Sequence, residues 1–114
     1  MKLKRWEYKE AGQAGYSFYC PGCKCGHTIL TEGHEVWTVT GELERPVIHP
    51  SVKVTWPANP DADEDFKEWR TERICHSYVG INGAAPGQII FLSDCTHALA
   101  GQVVELPDYP QEQA

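Results

Sequence analysis

Cys20-Pro21-Gly22-Cys23-Lys24-Cys25-Gly26-His27 is the stretch on which the reading of this chain turns. Two cysteines with two residues between them present two sulfurs to one ion from a single tight turn, and Pro21 and Gly22 supply the turn. Two ligands do not close a metal site, so others must arrive from elsewhere in the chain. Cys75-His76 and Cys95-Thr96-His97 are the candidates.

The flanking residues set the class. Tyr16 to Cys20 reads as a strand entering the knuckle, with Tyr16, Phe18 and Cys20 on one face, and His27 to Leu30 leaves it extended. Residues 35–41 are rich in β-branched and aromatic side chains and read as a strand. Residues 47–49 and 51–56 are extended chain interrupted by Pro50, which marks an edge or a bulge. Residues 74–79 and 89–95 read as a hairpin around a loose loop over 80–88. Pairing Ile81 with Ile89 and Val79 with Phe91 puts these four side chains on one face. The same register sets Cys75 opposite Cys95, with Cβ atoms roughly 5 Å apart. His76, Tyr78, Ile90, Leu92 and Asp94 then point the other way.

Asp61 followed by Glu64 opens a helix over about residues 61–72, with acids early, Arg70 and Arg73 late, and Phe66 and Trp69 on one face. One helical turn is expected over 96–100, stopped by Gly101, and a last strand over 102–106. Residues 1–15 form a flexible segment or an edge strand, and 107–114 a polar tail. The expectation is one domain over 1–114 of the α+β class, mainly β: a small antiparallel β-domain with a zinc knuckle and one short helix.

Composition narrows the function. The 114 residues carry a net charge of -6, which argues against a general binder of phosphate backbones. No apolar run approaches the roughly 20 residues of a membrane span. Met1 to Trp6 has charge but no following apolar block, so no secretory signal is read and a cytoplasmic location is the default. Five cysteines, several close to histidines, point to metal rather than to disulfides. The tightest reading is one zinc held by Cys20, Cys23, Cys75 and Cys95, with Cys25, His27, His76 and His97 as substitutes or supporting neighbours. Reduced thiols without metal, or an iron–sulfur cluster, are the alternatives. Cys-Pro-Gly-Cys also has the spacing of thiol–disulfide enzymes, but no helix follows it to lower the thiol pKa.

The runs Cys75-His76-Ser77-Tyr78-Val79 and Phe91 to Gln102, with the leading Cys20-Pro21-Gly22-Cys23, resemble a family of small phage and prophage proteins of unknown function. Trp37, Gly41, Pro46 and Pro50-Ser51 fall where that family has a tryptophan strand and proline-rich turns. The resemblance covers residues 16 to 108 and implies a phage or prophage setting and a metal site. It supplies no activity, and the "ammonia monooxygenase" label such sequences sometimes carry would require a large membrane-bound copper assembly. The longer hairpin loop and His49 depart from the family pattern.

Two functions follow. The first is a non-catalytic, zinc-stabilised accessory module that binds a protein, from the host or the phage, through the acidic helix 61–72 and the loop 80–88. The second is a small zinc-dependent hydrolase with an open site, using Cys20, Cys23 and His97 as ligands and Asp94 as base. Against the second, Asp94 precedes the turn over 96–100 and is read as its cap. His27, His76 and His97 are read as supporting or packing residues, His34 and His49 as surface, and most of the four tryptophans as core. No catalytic residue is assigned.

Overall fold

The computed structural model describes residues 1–34 and 36–110. The knuckle is the turn of a hairpin. β2 (Gln13–Cys20) runs into it and β3 (Cys25–Glu32) leaves it, with Cys20 paired to Cys25. Lys24 takes a positive φ of 58° there, and its N–H bonds the Cys20 carbonyl at 2.7 Å. β1 (Lys4–Tyr8) adds antiparallel to β2 and completes a three-stranded sheet, so the N-terminal segment is an edge strand. A 3-10 turn over Lys9–Ala11 and the left-handed Gly12 join β1 to β2.

A five-stranded antiparallel sheet forms the other layer, in the order β4 (Thr38–Glu42), β5 (Arg45–Trp56), β6 (Arg73–Val79), β7 (Gln88–Phe91), β8 (Val103–Glu105). β4 begins later than the expected strand, whose Glu35 lies outside the described residues. The expected interruption at Pro50 is a bulge inside one long strand. Ile48 pairs with Val79 but Val52 pairs with Ser77, so His49, Pro50 and Ser51 stand opposite Tyr78 alone. Proline has no N–H to give the ladder, which is why the slip falls here. The His49–Pro50 peptide is cis.

The β6–β7 hairpin is offset by two residues from the expected register: Val79 pairs with Ile89 and Ser77 with Phe91. A two-residue slip leaves every side chain on its face, because strand periodicity is two. Cys75, Ser77, Val79, Ile89 and Phe91 are buried on the inner face, as the alternation required. Cys95 reaches the same side from a turn beyond β7, where its N–H bonds the Leu92 carbonyl at 3.2 Å. The connecting loop is tied down rather than loose. Gly80 N–H bonds the Gln88 carbonyl, Gly87 N–H bonds the Pro46 carbonyl, and Ala84 is buried.

Both sheets contribute to one core. Leu3, Phe18, Cys20 and Ile29 meet Ile48, Val52, Cys75, Val79, Ile89, Phe91 and Leu106. The helix expected over 61–72 is a 3-10 segment, Glu64–Arg70, kinked at Phe66 and preceded by Asp63 without a side-chain cap. The Asp61–Glu64 capping box is not made; instead Asn59 Oδ1 accepts from Asp61 N–H at 3.2 Å. No residue of this segment is buried, so there is no apolar face to reward full α-helical winding. The helical turn expected over 96–100 is a set of non-helical turns. Phe66 and Trp69 stack at 4.5 Å but remain partly exposed, so Trp69 is not a core residue. Trp37 and Trp56 do pack against the core.

Phe18 is fully buried at the junction of the sheets. Phe18→Ala is expected to cost about 3–5 kcal/mol in chemical denaturation. Val103→Ala, at an exposed position, should stay within about 0.5 kcal/mol of the parent.

Candidate metal centre and serine–histidine–aspartate site

Cys20 ends β2, Cys23 sits in the turn, His27 projects from β3 on the Cys20 face, and Cys75 arrives from β6 of the other sheet. One donor atom from each lies within 4.8 Å of the rest, and this set can hold a metal ion. Cys20 Sγ and Cys75 Sγ are 3.8 Å apart. Two sulfurs each roughly 2.3 Å from a tetrahedral ion stand about that far apart. His27 Nε2 is buried with no hydrogen-bond partner, as expected of a nitrogen suited to a ligand that is not a protein group. His27 packs edge-on to Phe18 at 5.6 Å and beside Trp56 at 5.9 Å, so its ring is held in place.

The other sequence candidates fall nearby. Cys75 also belongs to a second group with Cys95 and His97. The His97 ring lies against Gly22, where any Cβ would collide with it. That ring is edge-on to Phe91 at 4.5 Å, and its Nδ1 accepts the Leu99 N–H at 3.2 Å. Cys25 is half-buried at the start of β3.

Protons are shared unevenly in this cluster. Hydrogen bonds from Cys23 and then Cys75 hold the Cys20 thiol far below the usual thiol range. The same bond to Cys20 pushes Cys23 up to about 12 and drives Cys75 upward as well. Burial raises Cys25 and Cys95. Hydrogen bonding within the cluster thus favours the thiolate at Cys20 and the thiol at Cys23 and Cys75.

His76, one residue beyond Cys75, points to the opposite face of the sheet. Its Nδ1 lies 3.2 Å from Asp94 Oδ2, and its Nε2 lies 3.2 Å from Ser51 Oγ. With the Nδ1–H donated to the carboxylate, Nε2 is left to accept the Ser51 hydroxyl proton. Ser51 reaches His76 because the bulge places it beside Lys53, the direct partner of His76, on the outer face. The Trp37 indole N–H fixes the Ser51 carbonyl at 3.1 Å. Asp94 comes from the turn after β7, so its carboxylate serves His76 and is not the cap expected from the sequence. His76 is likewise more than a packing residue. Its side chain is 21% exposed and that of Asp94 43%, which keeps the site open to solvent.

Sequence reasoning placed Ser51 only in a proline-rich turn and gave it no chemical role. A lone serine has no spacing signal; the nearest hint was the proline break beside it. The neighbouring serine, Ser77, is buried on the inner face and cannot reach the imidazole side.

A cleft of about 960 Å3 opens at the knuckle, lined by Cys23, Cys25 and His97 together with Trp56, Phe66, Trp69, Arg73, Ile74 and Thr96; Ser51, His76 and Asp94 are not among its lining residues. The Arg73 guanidinium sits 4.5 Å from the Trp56 ring and 5.0 Å from that of Trp69. Ile74 shares the outer face with His76, two residues or roughly 7 Å along β6.

A hydroxyl, an imidazole and a carboxylate in this order define the class of sites in which a serine is activated as a nucleophile. The chain belongs to the BubE family, described as the bacterial ubiquitination-like system serine protease, whose family model matches residues 3–85. The matched region contains Ser51 and His76; Asp94 lies beyond it. No curated protein and no solved structure matches the chain. The family description is bacterial and carries no phage assignment. Among the described residues no helix is long and apolar enough to cross a membrane.

Closing an ion on Cys20, Cys23, His27 and Cys75 must expel the protons that Cys23 and Cys75 retain. Metal uptake near neutral pH is expected to release protons, so affinity rises with pH. Calorimetric titration in buffers of different ionisation enthalpy measures this, and a release near zero would contradict the proton distribution. Separately, Trp37→Phe removes the bond to the Ser51 carbonyl and should cost about 1 kcal/mol of stability in a denaturant melt.

Proposed function

We propose that this protein is a serine peptidase that acts on a polypeptide of a bacterial ubiquitination-like system. The observation that carries the reading is His76 lying 3.2 Å from both the Ser51 hydroxyl and the Asp94 carboxylate. The family description supports it. Ser51 Oγ attacks the scissile carbonyl while His76 Nε2 takes its proton. The peptide C–N bond then breaks. His76 returns the proton to the leaving amine, and the acyl group stays on Ser51 as an ester. Water, deprotonated by the same nitrogen, releases the new carboxylate and restores the serine. Asp94 keeps the imidazole in the right tautomer and steadies its positive charge.

The cleft that Ile74 and Thr96 share with Cys23 and His97, two residues along β6 from His76, would receive part of the substrate chain. Its wall includes the 64–70 segment, the surface expected from the sequence to meet a protein partner. On this reading that partner is the substrate, held against Phe66 and Trp69, rather than a factor bound without chemistry.

The ion in this reading is zinc, held by Cys20, Cys23, His27 and Cys75. Three thiolates and an imidazole fill a tetrahedral shell and leave no open position, so the metal braces the fold and stays out of the reaction. The open-zinc hydrolase considered from the sequence needs Asp94 as a base at the metal, whereas that carboxylate is hydrogen-bonded to His76.

A fluorophosphonate probe, which reacts with activated serines, should add to Ser51, as read by peptide mass. Ser51→Ala should abolish the adduct, and His76→Ala should slow it at least about a thousandfold, both with unchanged metal content. Failure of the folded, metal-loaded parent to take up probe would refute the peptidase reading. For the metal, Cys23→Ala should lose zinc and native circular dichroism together, because binding energy here is folding energy. A Cys23→Ala protein with the parental melting temperature would remove the structural role.

A further inference from the structure

Cys95 makes two contacts with the His76 backbone, one of which a metal-bound thiolate could not make. Its Sγ accepts the His76 backbone N–H at 3.2 Å and lies 3.2 Å from the His76 carbonyl oxygen, which it meets as an S–H donor. A thiolate committed to an ion has no proton to give that oxygen, and its charge would face a lone pair. The same carbonyl also accepts the Leu92 N–H at 2.9 Å, and the Cys95 N–H closes back on Leu92. The turn from Leu92 to Cys95 is thus wrapped around the backbone of one residue. One position further, Thr96 repeats the arrangement on Ile74. Its N–H bonds the Ile74 carbonyl at 2.9 Å, and its hydroxyl accepts the Ile74 N–H at 3.0 Å.

Asp94 is the residue immediately before Cys95. A segment that grips the His76 backbone through Cys95 therefore delivers the carboxylate to the His76 ring. The two halves of the imidazole–carboxylate pair are registered by this short turn, with the Cys95 sulfur gripping the His76 backbone between the Leu92 and Thr96 bonds. Sulfur suits this position because it is buried, large enough to span to both backbone atoms, and able to donate and accept at once.

We propose that Cys95 is a positioning residue for the Ser51–His76–Asp94 site, clamping the His76 backbone, and not a fourth thiolate of the metal centre. The proposal rests on the serine-peptidase reading and adds to it the element that sets the geometry of the relay.

The full chain is loaded with zinc, and Cys95→Ala and Cys95→Ser are compared with the parent. Zinc per chain is measured by mass spectrometry, and Ser51 reactivity as the rate of fluorophosphonate addition. Both variants should bind zinc at the parental stoichiometry. Cys95→Ala should slow labelling at least about tenfold. Cys95→Ser, which keeps a donor and an acceptor, should recover most of that loss. A merely structural cysteine would show no such rescue, and a zinc ligand would not survive replacement by serine. Loss of zinc in Cys95→Ser, or parental labelling in Cys95→Ala, overturns the clamp. Should Cys95→Ala fail to fold, Cys95→Ser with full zinc and near-parental labelling still supports it. A parent that takes up no probe at Ser51 sinks the peptidase reading and the clamp with it, whereas a reactive parent with indifferent variants sinks the clamp alone.

Discussion

Cys20 and Cys75 face each other at 3.8 Å across the boundary between two separate sheets. Cys20 closes the last strand turn before the knuckle, and Cys75 sits near the start of β6. The three-stranded layer is small, and its apolar face has no use except against the larger sheet. Burial of Phe18, Ile29 and Leu3 supplies the non-directional part of that attachment. The sulfur–sulfur approach supplies the directional part, and an ion between the thiols would turn it into coordinate bonds.

Strand parity carries this constraint to the other face. Cys75 points inward and His76 outward because neighbours on a strand must. Whatever holds Cys75 therefore holds the backbone from which the imidazole projects, some distance from the ion and on the solvent side. Ser51 is brought to that ring by a different device. A regular β5 would continue pairing from Ile48, and the Pro50 bulge instead leaves three residues opposite Tyr78. Trp37, entering from the segment after β3, fixes the Ser51 carbonyl and so the direction in which the serine looks. Its own N–H bonds the Leu30 carbonyl at 2.7 Å, which ties this support back to the other sheet.

The electrostatics of the two faces differ in kind. Inside, thiols lie in hydrogen-bonding contact, and the bonds from Cys23 and Cys75 lower the Cys20 thiol pKa while theirs are raised. Outside, the carboxylate and imidazole are partly solvated, and their relation is one of orientation. The cleft at the knuckle is bounded by aromatic rings and by Arg73 lying between Trp56 and Trp69, a cation held by ring faces. The stacked Phe66 and Trp69 stay exposed for the same reason that no α-helix forms there: nothing covers them.

Much of this was written in the sequence. Period-two alternation gave the β class and put Cys75 on the core side, and that conclusion survived a two-residue error in the hairpin register because parity is insensitive to even shifts. The Cys-x-x-Cys turn announced a thiol cluster, and Pro50 announced a break. Local pattern failed where tertiary contacts decide: the acidic 61–72 stretch carried helix signals but no face to bury, and Asp94 had the local look of a cap. The meeting of Ser51, His76 and Asp94 belonged to the tertiary structure alone. A serine or an aspartate has no periodicity that marks it, and these three come together only when a bulge, a strand and a turn far apart in the chain are folded onto one face of a sheet.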